Sequence, residues 1–245
     1  CTFTNDRSQL ADSDAVIFRA RRLENLPMPE RPNYNQKWIF YEVEPPYKVY
    51  EYTDLSKYKD VFNLSATYSA ESDMAHLIDL KKCHINENKL KRFSQINFAA
   101  NKSKDAIWFV SNCHSQSKRE AFAKEMQKYI GVDIYGKCGT LSCGTNSFAS
   151  YASGAECHQK LFTGYRFYLA FENSICKDYL TEKLWKLSGH SIIPVVMGGV
   201  DYKNMLPAQT HVDVRDFGDA KKLSEFLLEL SQNDELYNTY VARWK

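Results

Sequence analysis

The sequence has no surplus of either charge: 32 basic residues meet 30 acidic ones and leave a net +2. A protein that holds nucleic acid by bulk electrostatics needs a much larger excess, so no nucleic-acid partner is expected. No stretch approaches the ~18 apolar residues of a membrane span. The longest apolar runs, Ile107–Val110 and Ile192–Met197, are strand-sized. The opening Cys1-Thr2-Phe3-Thr4-Asn5-Asp6 lacks the basic and apolar regions of a signal peptide. There is no internal repeat and no Cys-x-x-Cys. Hydrophobic residues at 44% and charged residues at 25% lie near the globular average, which excludes disorder, collagen and coiled coil. A length of 245 residues suits one large domain or two small ones.

What is present leans toward the secretory pathway. Seven cysteines are an odd number, so at least one is unpaired within the chain. Two glycosylation sequons occur, Asn63-Leu64-Ser65 and Asn101-Lys102-Ser103, making Asn63 and Asn101 glycosylation candidates. Tyr and Phe are abundant, at 16 and 14, which suits carbohydrate handling and equally a well-packed core.

Five prolines between Pro27 and Pro46 break the first 50 residues into short strands and loops. Strands are predicted at 15–18, 37–41 and 61–67. The second stops before Glu44-Pro45-Pro46, because proline removes a donor and restricts its predecessor. The polar stretch 79–105 reads as an inter-domain linker, with room for a helix inside it. After it the pattern becomes α/β. Strands are expected at 106–110, 132–135, 166–171, 191–197 and 211–214, and helices at 118–130, 178–187 and 220–230. Phe122, Met126, Tyr129 and Ile130 share one face of the first helix; Leu223, Phe226, Leu227 and Leu230 share one face of the last. Such alternation implies a parallel sheet that binds ligands beyond the carboxyl ends of its strands.

Three loops at such ends carry candidate chemistry. Ser111 to Arg119 ends in two cations, Lys118 and Arg119, where a helix start is already positive. A bound anion would resolve that conflict, although solvated surface cations are the commoner arrangement. Glu172 to Lys183 runs from a strand into a helix, with Asp178 as expected N-cap, amides available to phosphate oxygens, and Lys183 as a mobile cation. Glu44, held by the rigid Pro-Pro, has the character of a general base, although a lone Glu there is most often merely exposed. Glu71-Ser72-Asp73 has the form of a metal clamp but is too short a pattern to outweigh a solvated loop. The three Cys-His pairs lack zinc-ligand spacing, so disulfides or buried thiols account for them better.

Phe167-Tyr168-Leu169-Ala170-Phe171-Glu172-Asn173-Ser174 followed by Asp178-Tyr179-Leu180-Thr181-Glu182-Lys183-Leu184-Trp185 closely resembles the signature of the α1,3-fucosyltransferase family. Trp108 to Cys113 with Arg119, Val132 to Gly139, and Arg31-Pro32 through Trp38 to Glu44-Pro45 resemble further family segments in the same order. The resemblance implies a GT-B fold, two Rossmann-like domains facing across a cleft. The expected division is 1–95 as the acceptor-side domain, incomplete at its start, 96–232 as the GDP-fucose-binding domain, and 233–245 as a C-terminal helix turning back toward the first domain.

The activity implied is inverting transfer of L-fucose from GDP-fucose to O3 of N-acetylglucosamine in a glycan acceptor. No cofactor is required, a divalent metal being at most stimulatory. The enzyme would be a single-pass type II Golgi membrane protein with a lumenal catalytic domain and an anchor outside this chain. By match of position, Glu44 is the base and Glu182 a carboxylate near the sugar. Arg119 and Lys183 are the diphosphate cations, and Asn173, Tyr179, Glu172, Ser111 and Asn112 contact the donor. Departures are Ser69-Ala70-Glu71 where the family usually has Arg and Asp, Lys186 in place of Asn, and no cysteine-bearing tail beyond Lys245. A silent relative that only binds nucleotide or glycan, and a transferase using another nucleotide sugar, are the competing readings.

Overall fold

The computed structural model describes residues 1–25, 27–75, 85–143 and 162–245. The chain divides into two compact units, Cys1–Ile78 and Asp79–Lys245.

In the first unit, β1 (Ala15–Arg19), β2 (Lys37–Glu42) and β3 (Leu64–Thr67) form a parallel sheet in chain order. Aromatic contacts build its core: Phe18 meets Trp38 and Phe62, and Phe62 meets Phe40, at centroid separations of 4.8, 5.6 and 5.5 Å. β3 starts at Leu64 rather than 61, because Asn63 acts as its lead-in. Its amide donates to Trp38 O at 2.8 Å, and its side-chain Oδ1 accepts from the Trp38 amide at 2.9 Å. Arg31 lies 5.0 Å over the Trp38 ring and donates to Gln36 O at 2.8 Å. The prolines after β2 do not break structure: Pro45 caps and Pro46 opens α1 (Pro46–Tyr50), where a missing N–H costs nothing. Asp73 accepts hydrogen bonds from Ser65 N and Oγ at 2.8 Å each.

In the second unit, β4 (Lys104–Phe109), β5 (Val132–Tyr135), β6 (Tyr165–Phe171), β7 (Ile193–Met197) and β8 (Val212–Asp213) form a parallel sheet in the order β5-β4-β6-β7-β8. Chain order reverses between β4 and β6, and a crevice opens at the carboxyl ends flanking such a switch. Alternate residues of β6 feed two cores. Phe167, Leu169 and Phe171 face α3 (Arg119–Met126), α6 (Ala220–Gln232) and α7 (Asp234–Trp244); Tyr168 and Ala170 face Leu184, Leu187 and Tyr202. Burial on both faces is why these strands read as unbroken apolar runs.

Several expectations change. The helix predicted at 118–130 ends at Met126, leaving Tyr129 39% exposed. The helix predicted at 178–187 is a single turn, α4 (Glu182–Trp185); Asp178 takes a left-handed φ of 62° and is not its cap. Residues 85–95, expected in the first domain, group with the second unit, where α2 (Glu87–Phe93) sets Phe93 against Phe98 at 6.2 Å. Residues 234–244 form α7, which buries Tyr237 and Val241 in the core of the second unit. Asp201 caps a further short helix, α5 (Tyr202–Met205). Among the described residues, no helix is long and apolar enough to cross a membrane.

A disulfide joins Cys113, after β4, to Cys138, after β5, across a separation of 25 residues; Cys1 and Cys176 are free. Loop closure of that length is worth ~3 kcal/mol. We expect the Cys113→Ser/Cys138→Ser pair to lose about that much stability in urea unfolding. An unchanged midpoint would show the bond to be dispensable.

Candidate active site

The loops after β4 and β6 are stitched together at the switch point. Arg119 Nη1 donates to Phe171 O at 2.6 Å, Ser117 Oγ to Glu172 O at 2.7 Å, and Ser117 N to Asn173 O at 3.2 Å. Gln116 Oε1 accepts from Ser174 Oγ and Ile175 N, both at 3.1 Å. Of the two cations at the start of α3, Lys118 is a solvated surface cation, in a left-handed conformation that opens the helix. Arg119 is 4% exposed. Its guanidinium lies 5.5 Å from the Trp108 ring centroid, donates also to Asn112 O at 3.4 Å, and has Glu120 Oε1 3.5 Å from Nε. Carbonyls and one carboxylate thus relieve the conflict with the helix start.

Glu172, 1% exposed, is the organising anion. Its carboxylate accepts from Thr181 N at 2.8 Å, from Thr181 Oγ1 at 2.9 Å and from Lys183 Nζ at 2.9 Å. Lys183 Nζ also donates to Thr181 Oγ1 at 2.6 Å, and one-fifth of the lysine side chain remains exposed. The amide expected to greet an anion at this helix start is therefore taken, and α4 is too short for a large macrodipole. A held ammonium stands in its place. Removing the buried anion leaves Thr181 and Lys183 unanchored. Because Lys183 is partly solvated, Glu172→Gln should cost ~2 kcal/mol in urea unfolding of the second unit. A cost below a few tenths would remove Glu172 from this role.

Ser111 Oγ after β4 and Asn173 Oδ1 after β6 lie buried without a hydrogen-bond partner among the described residues, as does Arg119 Nε. The serine and the asparagine flank the switch point. Asn112 Oδ1 accepts from His114 N at 3.4 Å, a local turn contact. Tyr179 is 2% exposed beneath the loop. Glu182 projects from the first turn of α4, 55% exposed and 3.7 Å from Lys183 Nζ. Burial pushes its pKa up, but Lys183, its own amide, Lys186 and Thr181 together hold it below the usual carboxylate value. It is an anion at neutral pH. Lys186, outside the predicted site, places Nζ 4.7 Å from the Tyr168 ring centroid and adds a second cation beside Glu182. The sequence signal for it was its replacement of the family's Asn. Thr181 and Ser117 were missed because their roles are contacts between loops. A side chain at Gly198 would meet the Tyr202 hydroxyl, and one at Gly199 the Cys176 backbone, so both glycines are needed for this packing.

In the first unit, Glu44 is 30% exposed, with a carboxylate oxygen 3.8 Å from Arg21 Nη2. Proline is only part of what fixes it. Buried Glu42 accepts the Val43 and Glu44 amides at 3.0 and 3.1 Å and the Arg21 Nε at 3.1 Å. Its neighbour thus sets the direction of Glu44.

These features meet known proteins at several levels. The family model for the fucosyltransferase N-terminal region matches residues 1–79, and that for glycosyltransferase family 10 (fucosyltransferase), C-terminal, matches 99–245. The chain is 36% identical over 251 residues to glycoprotein 3-alpha-L-fucosyltransferase A of Drosophila melanogaster, covering 100% of this chain and 47% of that protein. It is 35% identical to alpha-(1,3)-fucosyltransferase C of the same organism, covering 93% of this chain and 55% of the relative. It spans about half the length of these curated relatives. A crystal structure of an alpha1,3-fucosyltransferase with GDP shares the fold at a TM-score of 0.64 and 17% identity, over 98% of this chain and 71% of that one. The α/β class with parallel sheets in both units is thereby the expected one, and the chain belongs to glycosyltransferase family 10, the fucosyltransferases.

Proposed function

We propose that this chain carries the catalytic region of an inverting fucosyltransferase. It moves L-fucose from GDP-fucose to a hydroxyl, O3 of N-acetylglucosamine, in a glycan acceptor and forms an α1,3 linkage. The observation that carries this reading is the Glu172-Thr181-Lys183 assembly at the switch point of the second unit. The leaving group is a diphosphate, whose negative charge grows as the C1–O bond breaks. A preorganised ammonium stabilises that growing charge more than the ground state. Arg119 adds its charge from beneath the loop, held by Phe171 O and Asn112 O. Ser111 Oγ and Asn173 Oδ1 offer polar contacts to the donor, and Glu182 offsets positive charge on an oxocarbenium-like sugar, as carboxylates do in glycosidases. Glu44 takes the acceptor proton, and attack opposite the leaving group inverts the anomeric centre.

In this reading no metal or cofactor is required. The protein is held in the Golgi membrane by an anchor outside this chain, with its catalytic region in the lumen, and Asn63 and Asn101 are available to glycosylation. The sequons and the Cys113–Cys138 disulfide support that compartment. Incubation with GDP-fucose and a panel of N-acetylglucosamine- and N-acetyllactosamine-terminated glycans, followed by linkage analysis, tests the proposal. GDP binding without transfer or donor hydrolysis would instead identify a silent relative.

A further inference from the structure

At the carboxyl ends of β1 and β2 the first unit brings three charges into contact. The two strands run parallel with Arg19 beside Tyr41, so the residues that follow them emerge side by side. Arg21 belongs to the short helical segment Ala20–Asn25. Ala20 is fully buried, and its carbonyl accepts from Thr53 Oγ1 at 2.7 Å, which anchors the start of that segment. The Arg21 side chain is 19% exposed. Its Nε donates to Glu42 Oε2 at 3.1 Å, and its amide donates to the same oxygen at 3.3 Å. Its Nη2 lies 3.8 Å from Glu44 Oε1. Glu42, 2% exposed, takes the Val43 and Glu44 amides on its other oxygen. One buried carboxylate therefore holds Glu44 twice, directly through the main chain and through Arg21 on the side chain.

A buried carboxylate is tolerated when it is paired and hydrogen-bonded. Two amides, the Arg21 amide and Arg21 Nε meet that need for Glu42 without any help from Glu44. Folding does not require the guanidinium to reach a second, partly exposed carboxylate, since pairs of that kind contribute little stability. A general base, by contrast, depends strongly on direction, because a misplacement of about 1 Å can cost ~10²-fold in rate. A planar guanidinium has separate nitrogens for two carboxylates, and a lysine ammonium does not.

We propose that Arg21 is a positioning residue for the acceptor-side base: anchored on buried Glu42, its guanidinium fixes the direction in which the Glu44 carboxylate meets the acceptor hydroxyl. This rests on the reading of Glu44 as the base. Arg21 takes no proton itself and acts through Glu44 alone.

The test is a double-mutant cycle in kcat for transfer from GDP-fucose to the most reactive glycan of the panel. Arg21→Lys keeps a cation for Glu42 but has no second arm for Glu44. We expect its kcat to fall about 10–100-fold, with the KM for GDP-fucose within twofold of the parent. In a Glu44→Gln background the same substitution should change kcat less than twofold, because no base is left to aim. Arg21→Gln/Glu42→Gln removes the buried pair together and leaves neither charge unpaired. It should fold, as judged by circular dichroism, and show the same loss of kcat even where Arg21→Lys does not fold. If Glu44→Gln is slow, an Arg21 effect of equal size in both Glu44 backgrounds, or turnover by both Arg21 variants within twofold of the parent, overturns the proposal and leaves the base reading standing. Full turnover by Glu44→Gln overturns both.

Discussion

Lys183→Ala is expected to lower kcat for transfer from GDP-fucose by about 10²–10³-fold, the usual cost of one preorganised donor aimed at developing charge. The argument rests on where Nζ is held. Glu172 and Thr181 bind it at 2.9 and 2.6 Å, so the ammonium is held in place. Part of the side chain stays accessible, and this is the part that can meet a phosphate. Lys183→Arg should not restore the rate, because a planar guanidinium cannot occupy a tight site shaped for a point charge. Steady-state kinetics with GDP-fucose varied, and folding followed by circular dichroism, provide the check. A kcat within threefold of the parent would remove Lys183 from the mechanism.

Glu44→Gln is expected to reduce kcat by about 10²–10⁴-fold while GDP affinity stays within twofold of the parent. Glutamine keeps the size and the polar contacts but cannot accept the acceptor's proton. A split between turnover and nucleotide binding separates a base from a structural carboxylate. Glu42→Gln serves as the contrast. Glu42 is buried and fixes the 43–44 backbone and Arg21 without access to substrate, so its loss should lower stability together with rate. Equal turnover by Glu44→Gln and the parent would leave the acceptor proton to another group.

Much of the second unit was legible because its strands are buried on both faces. Ile107-Trp108-Phe109-Val110 and Phe167 to Phe171 announce themselves as apolar runs whatever surrounds them. α6 was legible for a related reason: Leu223, Leu227 and Leu230 return to one face at helical spacing and are all buried. Boundaries were lost where side chains bond across loops. Thr181 looked like the first turn of a helix capped by Asp178. The buried Glu172 carboxylate captures its amide and hydroxyl and so shortens the helix to Glu182–Trp185. The residues before Leu64 looked like strand, but Asn63 bonds Trp38 through its side chain.

By itself the sequence determined the α/β class, the order of strands and helices, and the identity of the chemical groups, because hydrophobic period and residue type are local properties. Tertiary structure decided what each group does. Arg119 and Lys183 look alike as cations after a strand. Packing buries one against Trp108 with its nitrogens on backbone carbonyls, and holds the other at the surface on Glu172. A charge takes its role from its dielectric surroundings and its partners, and these are set by segments more than 50 residues apart in the chain, as Arg119 and Phe171 are.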